Sequence, residues 1–330
     1  MNPTLKKTLF WIAKLAFTAA IVAYILRTAP VHEIWEALQG ARFFYMLPAI
    51  GALLVSRVLM GCRMKRVTDH QGMTLTIPQL VGISLTSTFY GTFLPGSLGG
   101  GLVRWYRLSA KDQKRSAALA AIAFDRLADT TATIALGLVC WLASAQARQR
   151  PVIGVIFAAG LAACSVLYLA AFHAKGSSLA RRVIGKLPNG FIRTKALNLL
   201  GAAGSYHELG LKGLLVVFGI SIAIQLTGSL SFALGAQTLA IRLPFVDFAW
   251  MRSFSVLIGM IPITVAGLGV REGVFITLMV PYGIDAAQVV ALAVVRMAIS
   301  LIIASLGGLL ELKETFFPTR AASSRSCASV

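Results

Sequence analysis

Two distant stretches of the chain carry nearly the same text: PGSLGGGLVR at Pro95–Arg104 and PITVAGLGVR at Pro262–Arg271. Each follows an apolar run, begins with a helix-breaking proline, continues through small residues and ends with Val-Arg. Interrupted hydrophobic segments at corresponding places in two halves are typical of inverted repeats in transporter-like folds. The chain is therefore predicted to consist of two related halves, each with an irregular break that ends in arginine.

The composition places the chain in a membrane. Of its 330 residues 57% are hydrophobic and 13% are charged, and its mean hydropathy is +0.77. A soluble protein has a charged share nearer a quarter. The net charge of +19 would point to nucleic acid in a soluble domain. Here the basic residues lie in short loops between apolar runs, where they set orientation and meet anionic lipid, so nucleic-acid binding is not expected.

The apolar runs predict the spans, since a spanning helix needs about 20 mostly apolar residues. Six stretches qualify: 9–27, 43–61, 117–143, 152–173, 213–239 and 287–310. Two further stretches, 78–94 and 248–281, are broken by the repeated motif. Lipid cannot satisfy the backbone groups freed there, so these segments must be buried in protein or line a wet cavity. The expected fold is all-α, with six to eight transmembrane helices plus re-entrant segments.

The basic residues predict the orientation of these spans. Five groups hold 20 of the 31 Lys and Arg residues: Lys6 and Lys7; Arg63, Lys65 and Arg66; Arg104, Arg107, Lys111, Lys114 and Arg115; Lys175, Arg181, Arg182, Lys186, Arg193, Lys195 and Lys212; Lys313, Arg320 and Arg325. All five can be cytoplasmic, as the positive-inside rule prefers, if 78–94 enters and leaves on one side. Each half then holds three spans, an odd number, so the halves are inverted.

This count places both termini in the cytoplasm. The chain is expected in the inner membrane. A second count, left open, treats the broken segments as full spans or as hairpins of two short helices, which gives eight or more crossings.

The predicted organisation has four parts. They are a first half at 1–173 with a re-entrant motif at 78–104, a basic cytoplasmic linker at 174–212, a second half at 213–318 with a re-entrant motif at 248–281, and a disordered tail at 319–330. Apolar positions at helical spacing in the linker predict an interfacial amphipathic helix, with a solvated connector and a regulatory role both open. The first apolar run follows two lysines like a signal peptide, but it is long enough to span and is read as a retained helix.

Charged residues at membrane depth are candidate functional groups because each is costly there. The densest set is Asp125, Arg126 and Asp129, in which the two carboxylates share a helix face and Arg126 is placed to pair with Asp129. Two readings stay open. The set is either an ion-paired group that locks helices together, or a polar wall of a transport cavity that includes a proton-coupling carboxylate.

Further arginines are predicted to meet ligand or lipid. Arg296 lies too centrally in the last helix to snorkel, so it is expected to face a partner or an anionic ligand. Arg57, near the end of its predicted helix, is expected to snorkel. Arginine binds phosphate through a planar fork, so Arg104 and Arg271 are predicted to hold a phosphate near opposite membrane faces. The remaining members of the predicted substrate site are Glu272, Gly99, Gly100, Gly267 and Gly269.

The glycine motifs do not match a nucleotide loop. They predict either exposed amides at a helix break, which can face an anion, or tight helix packing by small residues. The four cysteines lie singly, without metal-ligand spacing, and no nucleophile motif is present. No metal, cofactor or enzymatic activity is therefore expected.

Three ordered segments resemble a known family: FYGTFLPGSLGGGLVRWYRLS at 89–109, FDRLAD at 124–129 and IPITVAGLGVREGVF at 261–275. They are similar to the membrane region of lysylphosphatidylglycerol synthases. The resemblance implies a lipid flippase domain. In bifunctional relatives a soluble aminoacyltransferase domain follows the last helix, and the 20 residues after Leu310 do not suffice for one. The family often has GGD where this chain has Gly99, Gly100 and Gly101, which puts any role of that acid in doubt.

The function predicted from these features is a passive or proton-linked flippase for an anionic or zwitterionic lipid headgroup, either a phospholipid or a lipid-linked group. The alternative is a non-transporting membrane scaffold that binds lipid and recruits a lipid-modifying or glycosyl-transferring enzyme, with the linker as its docking surface. An intramembrane lipid-modifying enzyme is a third hypothesis. The lipid, the direction, the energy source and the oligomeric state are left open.

Overall fold

A computed structural model describes residues 31–93, 99–112, 114–172, 206, 209–260 and 270–316. These residues form helices and no strand. In chain order the helices are α1 (Val31–Gln39), α2 (Met46–His70), α3 (Ile77–Phe93), α4 (Gly99–Asp112), α5 (Arg115–Ala143), α6 (Pro151–Phe172), α7 (Gly210–Thr238), α8 (Phe245–Met260), α9 (Val270–Met279) and α10 (Ala286–Phe316). Three 3-10 turns lie at Phe43–Tyr45, Ala147–Gln149 and Val280–Tyr282. The prediction of an all-α polytopic membrane protein is confirmed.

Five helices are long and apolar enough to cross a membrane: α2, α5, α6, α7 and α10. They coincide with five of the six predicted spans, because length and hydropathy are local properties that lipid imposes on any crossing helix. The sixth predicted span, 9–27, lies outside the described residues, as do most of the linker at 174–212 and the whole tail at 319–330.

Helix α2 continues well beyond its apolar run. Its predicted end was residue 61, but the helix ends at His70, where Gly72 takes a left-handed conformation with φ +66°. A left-handed glycine is the usual terminator of a helix. The additional two turns bring Arg63 into the protein interior.

Both broken segments are pairs of short helices. In the first, α3 packs against α4, and a Cβ on Gly100 would lie 2.5 Å from the Ser87 carbonyl oxygen and 3.2 Å from Gly91 Cα. In the second, α8 packs against α9. By helix rise α3 is about 26 Å long and α9 about 15 Å, short of the roughly 30 Å hydrocarbon core. This geometry favours re-entrant hairpins, which stay a prediction.

The helix contacts of the two halves mirror each other. When α2, α3, α4 and α5 are matched with α7, α8, α9 and α10, each packing has a counterpart. Within the first half α2 packs on α3, α4 packs on α5 and α2 packs on α5. Within the second half the counterparts are α7 on α8, α9 on α10 and α7 on α10. Between the halves, α3 packs on α10 as α8 packs on α5, and α5 packs on α7 as α10 packs on α2. The central pair, α2 and α7, contains one helix from each half. A two-fold relation between the repeats requires that each helix contact recur between the counterpart helices.

The central pair is antiparallel, as inverted halves demand. Near the start of α2 the Ala49 carbonyl accepts a hydrogen bond from Ser231 Oγ at 2.7 Å. Near its other end Arg63 Nη1 donates to Ser221 Oγ at 2.9 Å. Contacts therefore advance along α2 while they recede along α7. These observations agree with an inverted repeat, in which the counterparts α2 and α7 run in opposite directions.

Glycines bring the remaining helices together at matching places. A Cβ on Gly307 of α10 would collide with the backbone of Leu85 and Thr86 on α3, and a Cβ on Gly137 of α5 would lie 2.8 Å from Ser253 Cβ on α8. Thr86 and Ser253 each lie nine residues before the motif proline of their half. Small residues let helix backbones approach closely where lipid provides no hydrophobic force between them.

Candidate functional site

A polar cavity of about 230 Å³ lies where helices of both halves meet. Its polar lining residues are Arg57 on α2, Ser231 on α7, Arg252 and Ser255 on α8, Arg271 on α9, and Arg296 and Ser300 on α10. Leu53, Phe232, Phe275 and Leu292 are among its apolar lining residues. We call this site the arginine cavity, because four guanidinium groups from four helices border it.

Arg296 is held by an acid and a ring. Its Nη2 donates to Glu272 Oε1 at 3.1 Å, and its guanidinium carbon lies 5.5 Å from the centroid of the Phe275 ring. Glu272 and Phe275 both belong to α9, the helix that follows the second glycine motif. The expectation that Arg296 faces a partner is met by Glu272, and the guanidinium also borders the cavity.

Glycines make room for two further guanidinium groups. A Cβ on Gly259 would lie 2.6 Å from Arg271 Nε, and a Cβ on Gly228 would lie under 3.0 Å from Arg252 Nη2. Both guanidinium groups therefore rest against a helix backbone. A glycine in a helix interior costs about 1 kcal/mol relative to alanine. At these two positions the glycine lowers helix stability but leaves the space that the guanidinium group occupies.

Arg57 belongs to the cavity, contrary to expectation. The prediction that it snorkels was wrong because α2 continues to His70, which places Arg57 near the middle of the helix. Its Nη1 contacts Met60 Sδ at 3.6 Å, and its buried Nε has no hydrogen-bond partner in the described structure. Arg271 Nε is in the same situation.

A second charged site, the Asp125 cluster, consists of Arg63, Arg104, Asp125 and Asp129. Arg63 Nε donates to Asp125 Oδ1 at 2.8 Å and its Nη1 to Asp129 Oδ1 at 2.9 Å. Arg104 Nη2 donates to Asp125 Oδ2 at 2.9 Å. The side chains of Arg63 and Asp125 are each 1% exposed. The cluster ties α2, α4 and α5 together through paired, hydrogen-bonded charges.

Gln225 on α7 connects the two sites. Its Nε2 donates to Asp129 Oδ1 at 3.1 Å, and its Oε1 accepts a hydrogen bond from Arg252 Nη1 at 3.0 Å. A single amide thus links the Asp125 cluster of the first half to the arginine cavity. Asparagine and glutamine amides suit this role because they carry donors and an acceptor on one group.

Two sequence-based expectations about charge need correction. Arg126 does not pair with Asp129, whose partners are Arg63 and Gln225, because Arg126 lies on the exposed side of α5. Arg63 is not a cytoplasmic loop charge but is fully buried. Arg104 is bound to Asp125 and Arg271 borders the arginine cavity, so their prediction as phosphate contacts near opposite membrane faces stays a prediction.

The glycines of the predicted site are only partly described. Gly99 begins α4, and Gly100 lies against α3 at the hairpin contact, where the tight-packing interpretation of the motif fits best. Gly267 and Gly269 lie outside the described residues.

Sequence reasoning did not assign Arg57, Arg63 or Arg252 to a site. A usable signal was present for Arg252: a lone arginine in an otherwise apolar run needs a partner or a cavity. For Arg57 and Arg63 the corresponding signal was weaker. Their position well inside the helix becomes clear only when α2 is known to continue to His70.

The geometry of the arginine cavity suits an anion with several oxygens. Guanidinium groups approach it from different directions, and each presents a planar fork that can make two parallel hydrogen bonds to phosphate or carboxylate. Ser255 adds a buried hydroxyl with no partner in the described structure.

The family described as the lysylphosphatidylglycerol synthase TM region matches residues 11–308. This match covers both proline–glycine motifs, the arginine cavity and the Asp125 cluster. No curated protein matches the chain.

Proposed function

The chain belongs to the lysylphosphatidylglycerol synthase TM region family, a family of lipid-related membrane proteins, and from this premise we propose that it moves a phosphate-bearing lipid headgroup across the membrane. The observation that carries the proposal is the arginine cavity, in which four guanidinium groups from α2, α8, α9 and α10 gather. Cations at membrane depth are costly unless they face a partner, a cavity or a ligand. A lipid phosphate supplies the missing partner.

The proposed path leaves the lipid tails in the bilayer. The headgroup enters the cavity and exchanges water for the guanidinium groups and for the Ser255 hydroxyl. Phe275, Leu292 and the other apolar lining residues exclude bulk water, which strengthens each charge-assisted contact. No bond in the lipid is made or broken, so the proposed activity is transport and not catalysis.

The mirrored helix contacts support alternating access. If the halves exchange conformations, α4 takes the arrangement that α9 has here, and Arg104 leaves Asp125 to meet the phosphate from the other side. Arg104 and Arg271 then hold the phosphate in turn. The glycine breaks next to both arginines provide the backbone freedom for this movement. The proposal retains the cytoplasmic termini that the charge bias predicts, and the expected inner-membrane location.

The proposal is tested by lipid movement in reconstituted liposomes. Fluorescent phospholipids are placed in both leaflets, and a membrane-impermeant quencher reports those that reach the outer leaflet. We expect movement in liposomes with the protein that exceeds movement in empty ones. The Arg271→Ala variant should be slow, whereas Arg148→Ala, a change at an exposed turn, should keep the full rate.

Two outcomes contradict the proposal. Equal rates in liposomes with and without the protein would exclude transport of the lipids supplied. Equal rates for Arg271→Ala and the unaltered protein would exclude the cavity as the route. Mass spectrometry of the recovered lipids is a further check, because the proposed transport leaves their masses unchanged.

A further inference from the structure

The arginine cavity carries a positive charge that its own surroundings do not balance. Glu272 pairs with Arg296. In the described part of the chain no carboxylate forms an ion pair with Arg57, Arg252 or Arg271. The two motif segments 94–98 and 261–269 contain no acidic residue in the sequence. The guanidinium groups of Arg57, Arg252 and Arg271 therefore have no ion-pair partner in the described part of the chain.

The nearest other acids are already engaged. Asp125 accepts from Arg63 and Arg104, one guanidinium on each oxygen. Asp129 accepts from Arg63 and Gln225 on the same oxygen. In that cluster two carboxylates balance two arginines, so no negative charge is left over. Arg252 donates a hydrogen bond to the neutral amide oxygen of Gln225 and not to a carboxylate.

Three buried polar groups of cavity-lining residues have no hydrogen-bond partner in the described structure. The Nε atoms of Arg57 and Arg271 and the hydroxyl of Ser255 are buried, and none of them has a partner in the described structure. Buried donors without acceptors are destabilising, and more so when they are charged. The three residues line the cavity from α2, α9 and α8. A bound group that contacts their side chains from within the cavity must offer oxygens in several directions.

We infer that the headgroup held in this cavity carries two negative charges on its phosphate, as a phosphomonoester or diphosphate lipid does. This inference rests on the proposed function for the lipid nature of the ligand and adds its charge class. A phosphomonoester carries about −1.5 to −2 at pH 7 and has three strong acceptor oxygens. A phosphodiester has one charge and two free oxygens, and would leave two of the three arginines without a counter-charge.

The test compares two lipids with identical acyl chains. Phosphatidic acid is a phosphomonoester and phosphatidylglycerol is a monoanionic phosphodiester. Each is titrated into the purified full chain in zwitterionic lipid nanodiscs, and binding is followed by native mass spectrometry. We expect phosphatidic acid to bind about tenfold more tightly at pH 7.5, the equivalent of one charge-assisted hydrogen bond.

The pH profile of the unaltered protein provides an independent readout. The second ionisation of a phosphomonoester has a pKa near 6, so the preference for phosphatidic acid should decline as the pH falls through about 6. Binding of phosphatidylglycerol should not change over this range. Equal affinities at pH 7.5, or a preference that does not depend on pH, would overturn the inference.

Variants locate the effect. Arg57→Gln and Arg252→Gln should each reduce the preference, and Arg148→Gln should retain it. Retained preference in both cavity variants would place the selective site elsewhere. Inorganic phosphate is added as a competitor to distinguish a lipid headgroup from a free ion. Displacement of the lipid by phosphate at equal concentration would assign the site to the free ion and overturn the inference.

The result is separable from that of the transport assay. If liposomes move both lipids at equal rates, the proposed function holds and the charge class is wrong. If phosphatidic acid binds selectively but no lipid moves, the charge class holds and transport is wrong.

Discussion

Gly228 on α7 lies directly against the guanidinium group of Arg252 on α8, and there is no room between them for a methyl group. The neighbouring turn of α7 supplies Gln225, whose Oε1 accepts a hydrogen bond from the same guanidinium at 3.0 Å. Two residues on α7 thus fix the Arg252 guanidinium group: Gly228 leaves the space that it occupies, and Gln225 orients it by a hydrogen bond.

The Gly228→Ala variant tests this relationship. The added methyl group displaces only the flexible end of Arg252, so we expect the protein to fold with unchanged or slightly greater stability, since alanine favours a helix by about 1 kcal/mol. Anionic lipid should bind about tenfold or more weakly, because a charge-assisted hydrogen bond is worth roughly 1.5–3 kcal/mol. Gly219→Ala on the same helix, where a Cβ meets nothing within 4 Å, is the control for thermal unfolding and lipid binding. Equal affinities of the two variants would contradict the role of Gly228.

The Asp125→Asn variant should be strongly destabilised. It removes one carboxylate from between Arg63 and Arg104 and leaves a buried cation uncompensated. Loss of one partner from a buried ion pair costs about 3–5 kcal/mol. The control is Asp69→Asn, which breaks an exposed pair with Lys65 and should cost under about 1 kcal/mol. Thermal unfolding in nanodiscs measures both, and similar unfolding temperatures would show that the Asp125 cluster does not stabilise the fold.

The spanning helices could be predicted from sequence because the membrane enforces a local rule. Lipid accepts a crossing segment only if it is apolar and long enough to satisfy its own backbone. The proline–glycine breaks were equally local, since proline removes a donor and disrupts the preceding turn. The mirrored contacts of the halves agree with what the repeated text predicts, because similar sequences fold into similar helix pairs.

The charge partners could not be predicted because they depend on contacts far apart in the chain. Arg126 is three residues from Asp129 and was the natural local partner, yet Arg63, 66 residues away, takes that place. Local spacing shows which residues share a helix face but not which helix covers that face. Arg63 was assigned to a loop because the apolar run ends before it, and hydropathy does not detect a polar helix extension that is buried by its neighbours.

The cavity itself arises from the assembly of helices. Arg57, Arg252, Arg271 and Arg296 come from four helices, and each alone has an ordinary explanation as a snorkelling or paired residue. Their convergence on a cavity of about 230 Å³ is the basis for the proposed anion site. Sequence identifies such arginines as costly, and the packing of the helices shows that they share a space.

The Gly307→Ala variant should weaken the packing of α10 on α3. In contrast to Gly228, the atoms that a Cβ on Gly307 would meet belong to the backbone of Leu85 and Thr86, which cannot rotate away. Overpacking of this kind costs about 1–3 kcal/mol, so a lower unfolding temperature is expected. Gly273→Ala on α9, where a Cβ meets nothing within 4 Å, is the matched control. If both alanine variants unfold at the same temperature, the close approach of α3 and α10 is not tight in the membrane.

The ionisation of Tyr282 is expected to change the stability of the folded protein at alkaline pH. Its hydroxyl donates to Asp247 Oδ1 at 2.9 Å, and burial together with this carboxylate raises the pKa of Tyr282 to about 12 from about 10 for free tyrosine. The folded protein therefore holds this proton more tightly than the unfolded chain. The resulting stabilisation is fully present below pH ~10 and is lost as the pH rises through about 12.

The Tyr282→Phe variant removes this titration. Its unfolding temperature should be lower than that of the unaltered protein at pH 8, because Asp247 loses a hydrogen-bond donor, and it should fall less steeply between pH 10 and pH 12. Tyr106→Phe, at a side chain that is 67% exposed, should leave both the temperature and its slope unchanged. Parallel curves for Tyr282→Phe and the unaltered protein above pH 10 would show that the alkaline loss of stability comes from other groups.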